Sequence, residues 1–186
     1  MPTGLMAEAK ILITGYTIKE KPGRTCATCT LVRDGRLNMV IDPGTVSSPK
    51  VLVTALKKEG LSPEDINVVG LTHSHVDHYK NVALFQKAGI IDYWGWWKGD
   101  KWSKSDGKIS PNIRFILTPG HSPDSITFLV KTGAGVTAVC GDVFWSKGRP
   151  KTDPFASDNK ALRKNQEKLL KIADFIIPGH GIIFKT

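Results

Sequence analysis

The stretch Thr72-His73-Ser74-His75-Val76-Asp77-His78 decides how this chain is interpreted. It places three imidazoles and one carboxylate within six positions, directly after the apolar run 66–71, which predicts a strand. A chain that leaves a strand end can turn sharply, so these side chains can converge on one point. Neutral imidazole and carboxylate are ligands of zinc, manganese and ferrous iron. The stretch therefore predicts a metal site, against the alternative of a solvated polar loop.

The two remaining histidines occur in similar settings. His121 ends the stretch Thr118-Pro119-Gly120-His121, and His180 lies in Pro178-Gly179-His180-Gly181. Each follows an apolar, β-like run and a Pro-Gly break. Because the chain has only five histidines and three of them lie in one stretch, a polar loop or a chance cluster explains the pattern poorly.

Composition is that of a globular chain, with 40% hydrophobic and 23% charged residues in 186. This predicts one domain over residues 1–186 with a sizeable core. The N-terminal residues lack the basic and apolar segments of a signal peptide, and no apolar run approaches a membrane span. We therefore expect a cytoplasmic protein without a membrane partner. The formal net charge of +9 favours an anionic partner, and supports nucleic acid only weakly because it could equally serve solubility.

The cysteines do not predict chemistry of their own. Cys26-Ala27-Thr28-Cys29 has the spacing of a redox motif, but it lies in a predicted strand, 25–32. Residues three apart on a strand point to opposite faces, so neither a local disulfide nor a shared metal fits. We predict that these two cysteines and Cys140 are small, buried or half-buried side chains.

Periodicity and turn signals predict a β-rich chain. The predicted strands are 10–19, 25–32, 36–41, 66–71, 90–93, 113–117, 126–131, 136–140 and 175–177. The predicted helices run from Ser48-Pro49 to Gly60, over 82–88 and over 158–173. Asp34-Gly35 indicates a hairpin, and residues 94–112 lose all periodicity. Two β-rich halves that each close with helix and strand predict two packed sheets with outer helices, and strand-end loops at one edge.

The ordered set His-x-His-x-Asp-His, a later lone His, Gly141-Asp142 and Gly179-His180 resembles the metallo-β-lactamase superfamily, from about Asp42 to Phe184. The resemblance implies an α/β (α+β) fold, a four-layer αββα sandwich of two mixed β-sheets flanked by helices. It also implies two divalent metal ions, Zn²⁺ first, with Fe²⁺ or Mn²⁺ as alternatives. The implied ligands are His73, His75 and His121 for the first metal, Asp77, His78 and His180 for the second, and Asp142 as the bridge. Asp42 matches a strand-end carboxylate that orients the motif loop rather than binding metal.

The implied chemistry agrees with the residues. Two divalent ions roughly 3.5–4 Å apart can share a water, lower its pKa and polarise a substrate oxygen. We therefore predict a binuclear metal-dependent hydrolase in which a metal-bridging hydroxide is the nucleophile. Asp77 is the predicted catalytic residue, which accepts the proton of the water or delivers one to the leaving group.

RNA phosphodiester cleavage is the first prediction for the reaction. Stretches 60–66, 82–85, 141–144 and 173–181 resemble a subfamily whose animal member is associated with cleavage of histone precursor RNA. The mixed aromatic and basic stretch 94–104 agrees, since tryptophan faces can stack bases while lysines follow phosphates. The predicted substrate-binding residues are Trp94, Trp96, Trp97 and Trp145. For the first three, packing as a lid is an equal alternative, and an exposed tryptophan loop could also form a homodimer interface.

Thioester or lactone hydrolysis, as in glyoxalase II or the acyl-homoserine lactonases, is the main alternative. Lactonases with this metal set carry a tyrosine three residues after the bridging aspartate, where this chain has Trp145. A β-lactamase is disfavoured, because such enzymes are exported and lack a bridging carboxylate like Asp142. A non-catalytic scaffold should have lost ligands, whereas all seven positions are filled here.

Overall fold

The computed structural model of the protein describes residues 6–19, 22–148 and 152–186. In these ranges the strands are β1 (Glu8–Ile13), β2 (Tyr16–Ile18), β3 (Arg24–Cys26), β4 (Cys29–Asp34), β5 (Leu37–Ile41), β6 (Val68–Gly70), β7 (Gly89–Asp92), β8 (Gly95–Lys98), β9 (Lys101–Ser103), β10 (Lys108–Ser110), β11 (Ile113–Leu117), β12 (Ile126–Thr132), β13 (Gly135–Val139), β14 (Phe175–Ile177) and β15 (Phe184–Lys185). The α-helices are α1 (Pro49–Lys58), α2 (Val76–Tyr79) and α3 (Asn159–Ile172), and 3-10 helices cover Pro63–Asp65, Val82–Leu84 and Gly141–Val143.

Most strands belong to two mixed sheets. The first has the order β1-β4-β5-β6-β7-β8-β9 and the second β10-β11-β12-β13-β14-β15, while β2 and β3 pair separately. Strands β5, β6 and β7 run parallel, as do β13 and β14, and the other neighbours are antiparallel. The carboxyl ends of parallel strands share one sheet edge, so the loops that follow them emerge side by side.

The core between the sheets follows from side-chain alternation along the strands. On β5, Met39 and Ile41 point into the inter-sheet cluster, while Val40 between them points to the outer face. Phe128 and Ile177 of the second sheet belong to the same inter-sheet cluster. Full burial of one such side chain contributes about 1.5–3 kcal/mol, so this layer holds the two sheets face to face.

One α-helix covers the outer face of each sheet. Leu52 and Leu56 of α1 are fully buried in a cluster with Val40 of the first sheet. Leu162 and Leu169 of α3 are buried in a second cluster with residues of β13 and β14. The predicted four-layer αββα sandwich is therefore confirmed.

The two longer helices begin at the capping residues that the sequence indicates. The Ser48 side chain accepts a hydrogen bond from the Lys50 backbone N–H at 3.3 Å, with proline at the first helical position. The Asp158 carboxylate accepts from the backbone N–H groups of Lys160 and Ala161 at 2.9 and 3.0 Å. These contacts set the start of α1 and α3, close to the predicted boundaries.

Residues 94–112, where the sequence shows no periodicity, contain β8, β9 and β10. Trp96 and Trp97 are adjacent and both aromatic, which conceals the alternation of a strand. Trp96 packs against the inter-sheet cluster and pairs with Ile91 of β7, whereas Trp97 is exposed. Pairing with β7 thus imposes strand structure that the hydrophobic pattern does not show.

Two predicted strands are each divided in the structure. The segment 10–19 splits into parts of β1 and β2, because Gly15 brings the chain against the backbone of Thr28. A Cβ at Gly15 would lie 2.4 Å from the Thr28 nitrogen. The segment 25–32 splits between Cys26 and Cys29 into β3 and β4. The short helix predicted over 82–88 is a single 3-10 turn, and β15 had no sequence signal.

The cysteines are placed as predicted: Cys26, Cys29 and Cys140 are free thiols and all three are buried. Every helix in the described ranges is too short or too polar to cross a lipid bilayer.

Candidate metal centre

The seven predicted ligands meet at one edge of the sandwich, and each follows a strand end. The histidine motif follows β6, His121 follows β11, Asp142 lies in the 3-10 turn after β13, and His180 follows β14. Helix α2 starts inside the motif and turns Asp77 and His78 back towards the sheet edge. The parallel pairing of β5 with β6 and of β13 with β14 brings these loops together from both sheets.

One group of side chains, which we call the first half-site, contains His73, His75, His121 and Asp142, with one potential ligand atom of each within 4.8 Å of the others. His75 Nδ1 lies 3.0 Å from His73 Nε2 and 3.0 Å from His121 Nε2. Asp142 Oδ2 lies 3.3 Å from His121 Nε2. His75 is the exposed member, so this half-site opens towards solvent.

The other group, the second half-site, contains Asp77, His78 and His180, again with ligand atoms within 4.8 Å. Asp77 Oδ2 lies 3.6 Å from His180 Nε2. Asp142 faces this group with its other oxygen, since Oδ1 lies 3.4 Å from His78 Nε2 and 3.3 Å from His180 Nε2. One carboxylate therefore contacts both half-sites, as a bridging ligand would.

The positions of the imidazole nitrogens in the two half-sites suit bound divalent cations. His75 Nδ1 faces two other ring nitrogens, although one imidazole nitrogen carries only one proton or one lone pair. A cation among the three lone pairs would satisfy all of them. In the second half-site His78 Nε2 and Asp142 Oδ1 are buried and, among the described residues, have no hydrogen-bond partner. Buried groups without partners are costly, and a cation would supply the missing one.

Asp42 contacts the motif loop, and does so from a strained backbone. Its carboxylate accepts hydrogen bonds from the Thr72 backbone N–H at 2.8 Å and the Thr72 hydroxyl at 2.7 Å. It also lies 2.8 Å from His78 Nδ1. With φ of 51°, Asp42 occupies the left-handed region that few residues other than glycine, asparagine and aspartate adopt. Asp42 therefore directs His78 Nε2 towards Asp142.

Three further groups hold the proposed ligands, and sequence reasoning missed all of them. Asp153 Oδ2 lies 2.9 Å from His121 Nδ1, in the way that Asp42 holds His78. The Thr25 hydroxyl on the β2–β3 hairpin donates to Asp77 Oδ2 at 2.8 Å. The Cys26 carbonyl lies 3.0 Å from His180 Nδ1. No local pattern marks these contacts, because each joins residues at least 32 positions apart.

The buried charges shift the pKa values of the two half-sites in opposite directions. Burial, together with the neighbouring His78, holds the pKa of His73 well below its usual value. Burial alone would lower the pKa of His78, but Asp42 and Asp142 raise it well above its usual value. Burial opposes ionisation of Asp142 too, yet His78 and His180 keep its pKa well below the ordinary range. The pKa of His180 is raised by Asp142 against the effect of burial.

A cavity of 1040 Å³ opens beside both half-sites. Its wall includes Trp145 and Phe155, whose rings stack at 5.4 Å with an interplanar angle of 15°. The Trp145 ring centroid lies 6.2 Å from that of His121 and 5.9 Å from that of His180. Its Nε1 is buried and has no hydrogen-bond partner within the described ranges. Trp145 thus lies where a bound molecule would meet it, and its role in binding stays a prediction.

The other three predicted substrate-binding tryptophans lie outside this cavity. Trp94 is in the turn between β7 and β8, and Trp96 and Trp97 are on β8. None of these three tryptophans is among the described residues that line the cavity. The structure therefore brings all seven proposed ligands and Trp145 together, but places the tryptophan segment on a different surface.

Two stacked mixed sheets, outer helices and a His/Asp cluster at the sheet edge define a metal-binding sandwich of the metallo-hydrolase type. The sequence pattern of the Metallo-beta-lactamase superfamily matches residues 23–180. Metallo-beta-lactamase domain-containing protein 1 of Xenopus laevis is 30% identical over an alignment of 189 positions, which covers 95% of this chain and 80% of that protein. The Mus musculus protein of the same name is 28% identical, and the match covers 80% of this chain and 61% of that protein.

Solved structures agree in fold. A metallo-beta-lactamase fold protein from Thermotoga maritima superimposes with a TM-score of 0.76 at 23% identity, over 97% of this chain and all of that one. A dizinc quorum-quenching lactonase superimposes with a TM-score of 0.65 at 17% identity, over 85% of this chain and 73% of that one. The chain belongs to the metallo-beta-lactamase superfamily and is a hydrolase of that superfamily.

Proposed function

We propose that this hydrolase is a two-metal phosphodiesterase that cleaves RNA. The observation that carries the proposal is a pair of lysines, Lys19 and Lys147, in the wall of the cavity beside the half-sites, which Arg163 and the carboxylates of Asp77, Asp142 and Asp153 also line. RNA carries a negative charge at every linkage, so cationic side chains at the reacting centre favour it over a neutral ester. The net charge of +9 acts in the same direction.

The half-sites supply the ligands that two cations would need, with imidazoles and carboxylates suited to Zn²⁺ and also to Fe²⁺ or Mn²⁺. When bound, such a pair would lower the pKa of a shared water to generate a nucleophile and would polarise the scissile group. His73, His75 and His121 would hold one cation, and His78, His180 and Asp77 the other. Asp142 would contact both.

The remaining chemistry belongs to side chains of the protein. The Asp77 carboxylate, which accepts from the Thr25 hydroxyl at Oδ2, would take a proton and return it to the leaving oxygen. Trp145 Nε1 is a buried donor without a partner among the described residues, and would donate to a non-bridging oxygen as charge builds there. Stacked Trp145 and Phe155 would exclude water from that side of the reacting group.

Thioester or lactone hydrolysis is the second candidate, and one observation favours it. Besides the stacked aromatic pair, the apolar side chains of Val143 and Leu162 also line the cavity, which suits an acyl chain. The lactonase with the same fold is consistent with this candidate, although its low identity supports the fold alone. The ammonium groups of Lys19 and Lys147 meet no opposite charge in a neutral substrate, so we place RNA first.

One substrate panel tests both candidates. Protein loaded with Zn²⁺, Mn²⁺ or Fe²⁺ is incubated with single-stranded RNA, bis-p-nitrophenyl phosphate, S-lactoylglutathione and an acyl-homoserine lactone. The control is the double variant Asp77→Asn/His78→Ala, which should be inactive on all four. We expect turnover of the two phosphodiesters. Turnover of the thioester or lactone alone would contradict the proposal, and activity on none would restore the scaffold interpretation.

Charge variants sharpen the comparison. Lys19→Ala/Lys147→Ala should raise KM for RNA while leaving that for bis-p-nitrophenyl phosphate nearly unchanged, because only the polymer extends along the cavity. Lys57→Ala/Lys58→Ala is the matched control, since it removes the same charge from the end of α1. Equal effects of the two pairs on KM would show that only net charge matters.

A further inference from the structure

The three exposed tryptophans Trp94, Trp97 and Trp102, here called the tryptophan face, have no role in the metal centre. Their exposed fractions are 63%, 37% and 53%, which is unusual for a side chain of this size. Trp97 on β8 is directly paired with Trp102 on β9, so both side chains stand on the same side of the sheet. Strand β9 is the last strand of the first sheet, so this face lies at the edge of that sheet.

The rings of the tryptophan face are held in place and remain partly exposed. Trp97 Nε1 donates to Asp92 Oδ1 at 3.1 Å, and Trp102 Nε1 donates to the Trp94 carbonyl at 3.1 Å. The Trp97 and Trp102 rings are 6.2 Å apart and tilted by 51°, so they do not stack on each other. Fixed rings lose little conformational entropy when a partner stacks on them, and a partner that stacks does not need their N–H groups.

The surroundings of the tryptophan face are basic. Lys98 and Lys101 are paired at the end of the β8–β9 hairpin, where they line a pocket of 290 Å³ with Trp97 and Trp102. Exposed Lys104 follows β9. Asp100 in the hairpin turn and Asp92, which accepts from Trp97 Nε1, offset part of this charge. Cationic side chains around uncovered aromatic rings complement an anionic chain with flat apolar groups. They oppose a second copy of this basic protein, whose lysines would meet them.

The tryptophan face also extends from the edge that carries the metal centre. Parallel pairing of β6 with β7 places the turn that contains Trp94 beside the start of the histidine motif. From there β8 and β9 run about 13 Å to the lysine pair, at 3.3 Å per residue over four residues. A strand bound along them would enter the metal edge at one end.

We infer that the tryptophan face binds single-stranded nucleic acid, with bases stacked on Trp97 and Trp102 and phosphates near Lys98 and Lys101. This inference names where the substrate strand is held, and so rests on the proposed function. Stacking on an aromatic side chain tolerates any base, so the surface would bind RNA and DNA without strong sequence preference. It lies outside the catalytic cavity, so its loss leaves reactions of small substrates unchanged.

Binding without turnover tests the inference. The affinity for a fluorescein-labelled 12-nucleotide single-stranded RNA is measured by anisotropy in EDTA, with DNA of the same sequence in parallel. Trp97→Ala/Trp102→Ala should raise Kd at least about tenfold, whereas Trp97→Phe/Trp102→Phe should stay within about threefold because phenylalanine still stacks. Val51→Ala/Val53→Ala removes exposed apolar surface from α1 and should change nothing. Lys98→Ala/Lys101→Ala should reduce the salt slope by about 1.4.

Three results would overturn the inference. The first is a wild-type Kd for the alanine pair, and the second is no binding by the wild type. The third is light scattering that shows a wild-type dimer and a monomeric alanine pair, which would make the face a contact between copies. Cleavage assays separate the two proposals. If the alanine pair cleaves RNA normally, the binding inference is wrong and the proposed phosphodiesterase activity stands. If RNA binds at the tryptophan face but is never cleaved, the binding inference stands and the proposed activity is wrong.

Discussion

Replacing Asp42 by asparagine tests whether this residue sets the tautomer of His78. The carboxylate accepts at 2.7–2.8 Å from the Thr72 N–H and hydroxyl, and lies 2.8 Å from His78 Nδ1. An acceptor at that position requires the proton of neutral His78 on Nδ1, which leaves the Nε2 lone pair facing Asp142. Asparagine has nearly the same shape, but its amide nitrogen can only donate.

The amide reverses the arrangement of protons. The asparagine oxygen can still accept from the Thr72 N–H, and its NH₂ group can donate to the Thr72 hydroxyl and to His78 Nδ1. The neutral imidazole then carries its proton on Nε2, where the second half-site needs a lone pair. If His78 instead keeps its lone pair on Nε2, its Nδ1–H and the asparagine NH₂ are two donors 2.8 Å apart. Substitutions of this kind cost about 10–100-fold in metal affinity, or about 1.4–2.8 kcal/mol.

The expected result is selective. Asp42→Asn should keep its fold, because asparagine tolerates φ of 51° as well as aspartate does. Competition against a chromophoric chelator should show the second cation weakened about 10–100-fold and the first nearly unchanged. Side-chain ¹⁵N spectra of His78 should report the exchanged tautomer. Asp34→Asn is the matched control, since that carboxylate binds Ser110 and Asn112 away from the half-sites. Two cations bound with wild-type affinity, or both lost together from a folded protein, would refute the tautomer argument.

Three further predictions concern the same centre. Lowering the pH from 8 to 6 should release the second cation before the first. The two imidazoles of the second half-site have raised pKa values and therefore take up protons first, whereas the pKa values of His73 and His75 are lowered. Calorimetric metal titrations at the two pH values check the order. Gly179→Ala should abolish high-affinity binding, because a Cβ would lie 1.8 Å from Asp142 Oδ1, whereas Gly133→Ala, with open space around it, should bind normally. Trp145→Phe should lower kcat about 10–100-fold through loss of one donor, with unchanged metal content by elemental analysis.

The seven predicted ligands lie together in the structure because their sequence signals are local. Each histidine follows an apolar run or a Pro-Gly break, and such breaks occur where strands end. The strand ends then meet because parallel strands share an edge, so fold and ligand positions come from the same pattern. The assignment of Asp42 from the resemblance agrees with its contacts to Thr72 and His78.

The supporting contacts could not be predicted in this way. Asp153 reaches His121 across 32 positions and Cys26 reaches His180 across 154, so both contacts depend on how the loops pack in three dimensions. The strand that contains Trp96 and Trp97 was missed for a different reason. These two adjacent residues are both aromatic and so show no hydrophobic alternation, although Trp96 faces the core and Trp97 faces solvent.

The physical reason for a bridging carboxylate lies in the way the two sheets meet. The first sheet supplies the histidine motif, and the second supplies His121, Asp142 and His180. Asp142 is the one ligand whose two oxygens face different half-sites, and His78 and His180 keep it ionised despite its burial. A buried carboxylate held between imidazoles of both sheets is stable only when those imidazoles supply protons or share cations with it. The edge of the sandwich therefore combines groups that share protons with groups that could hold metal, and its chemistry and its stability depend on the same contacts.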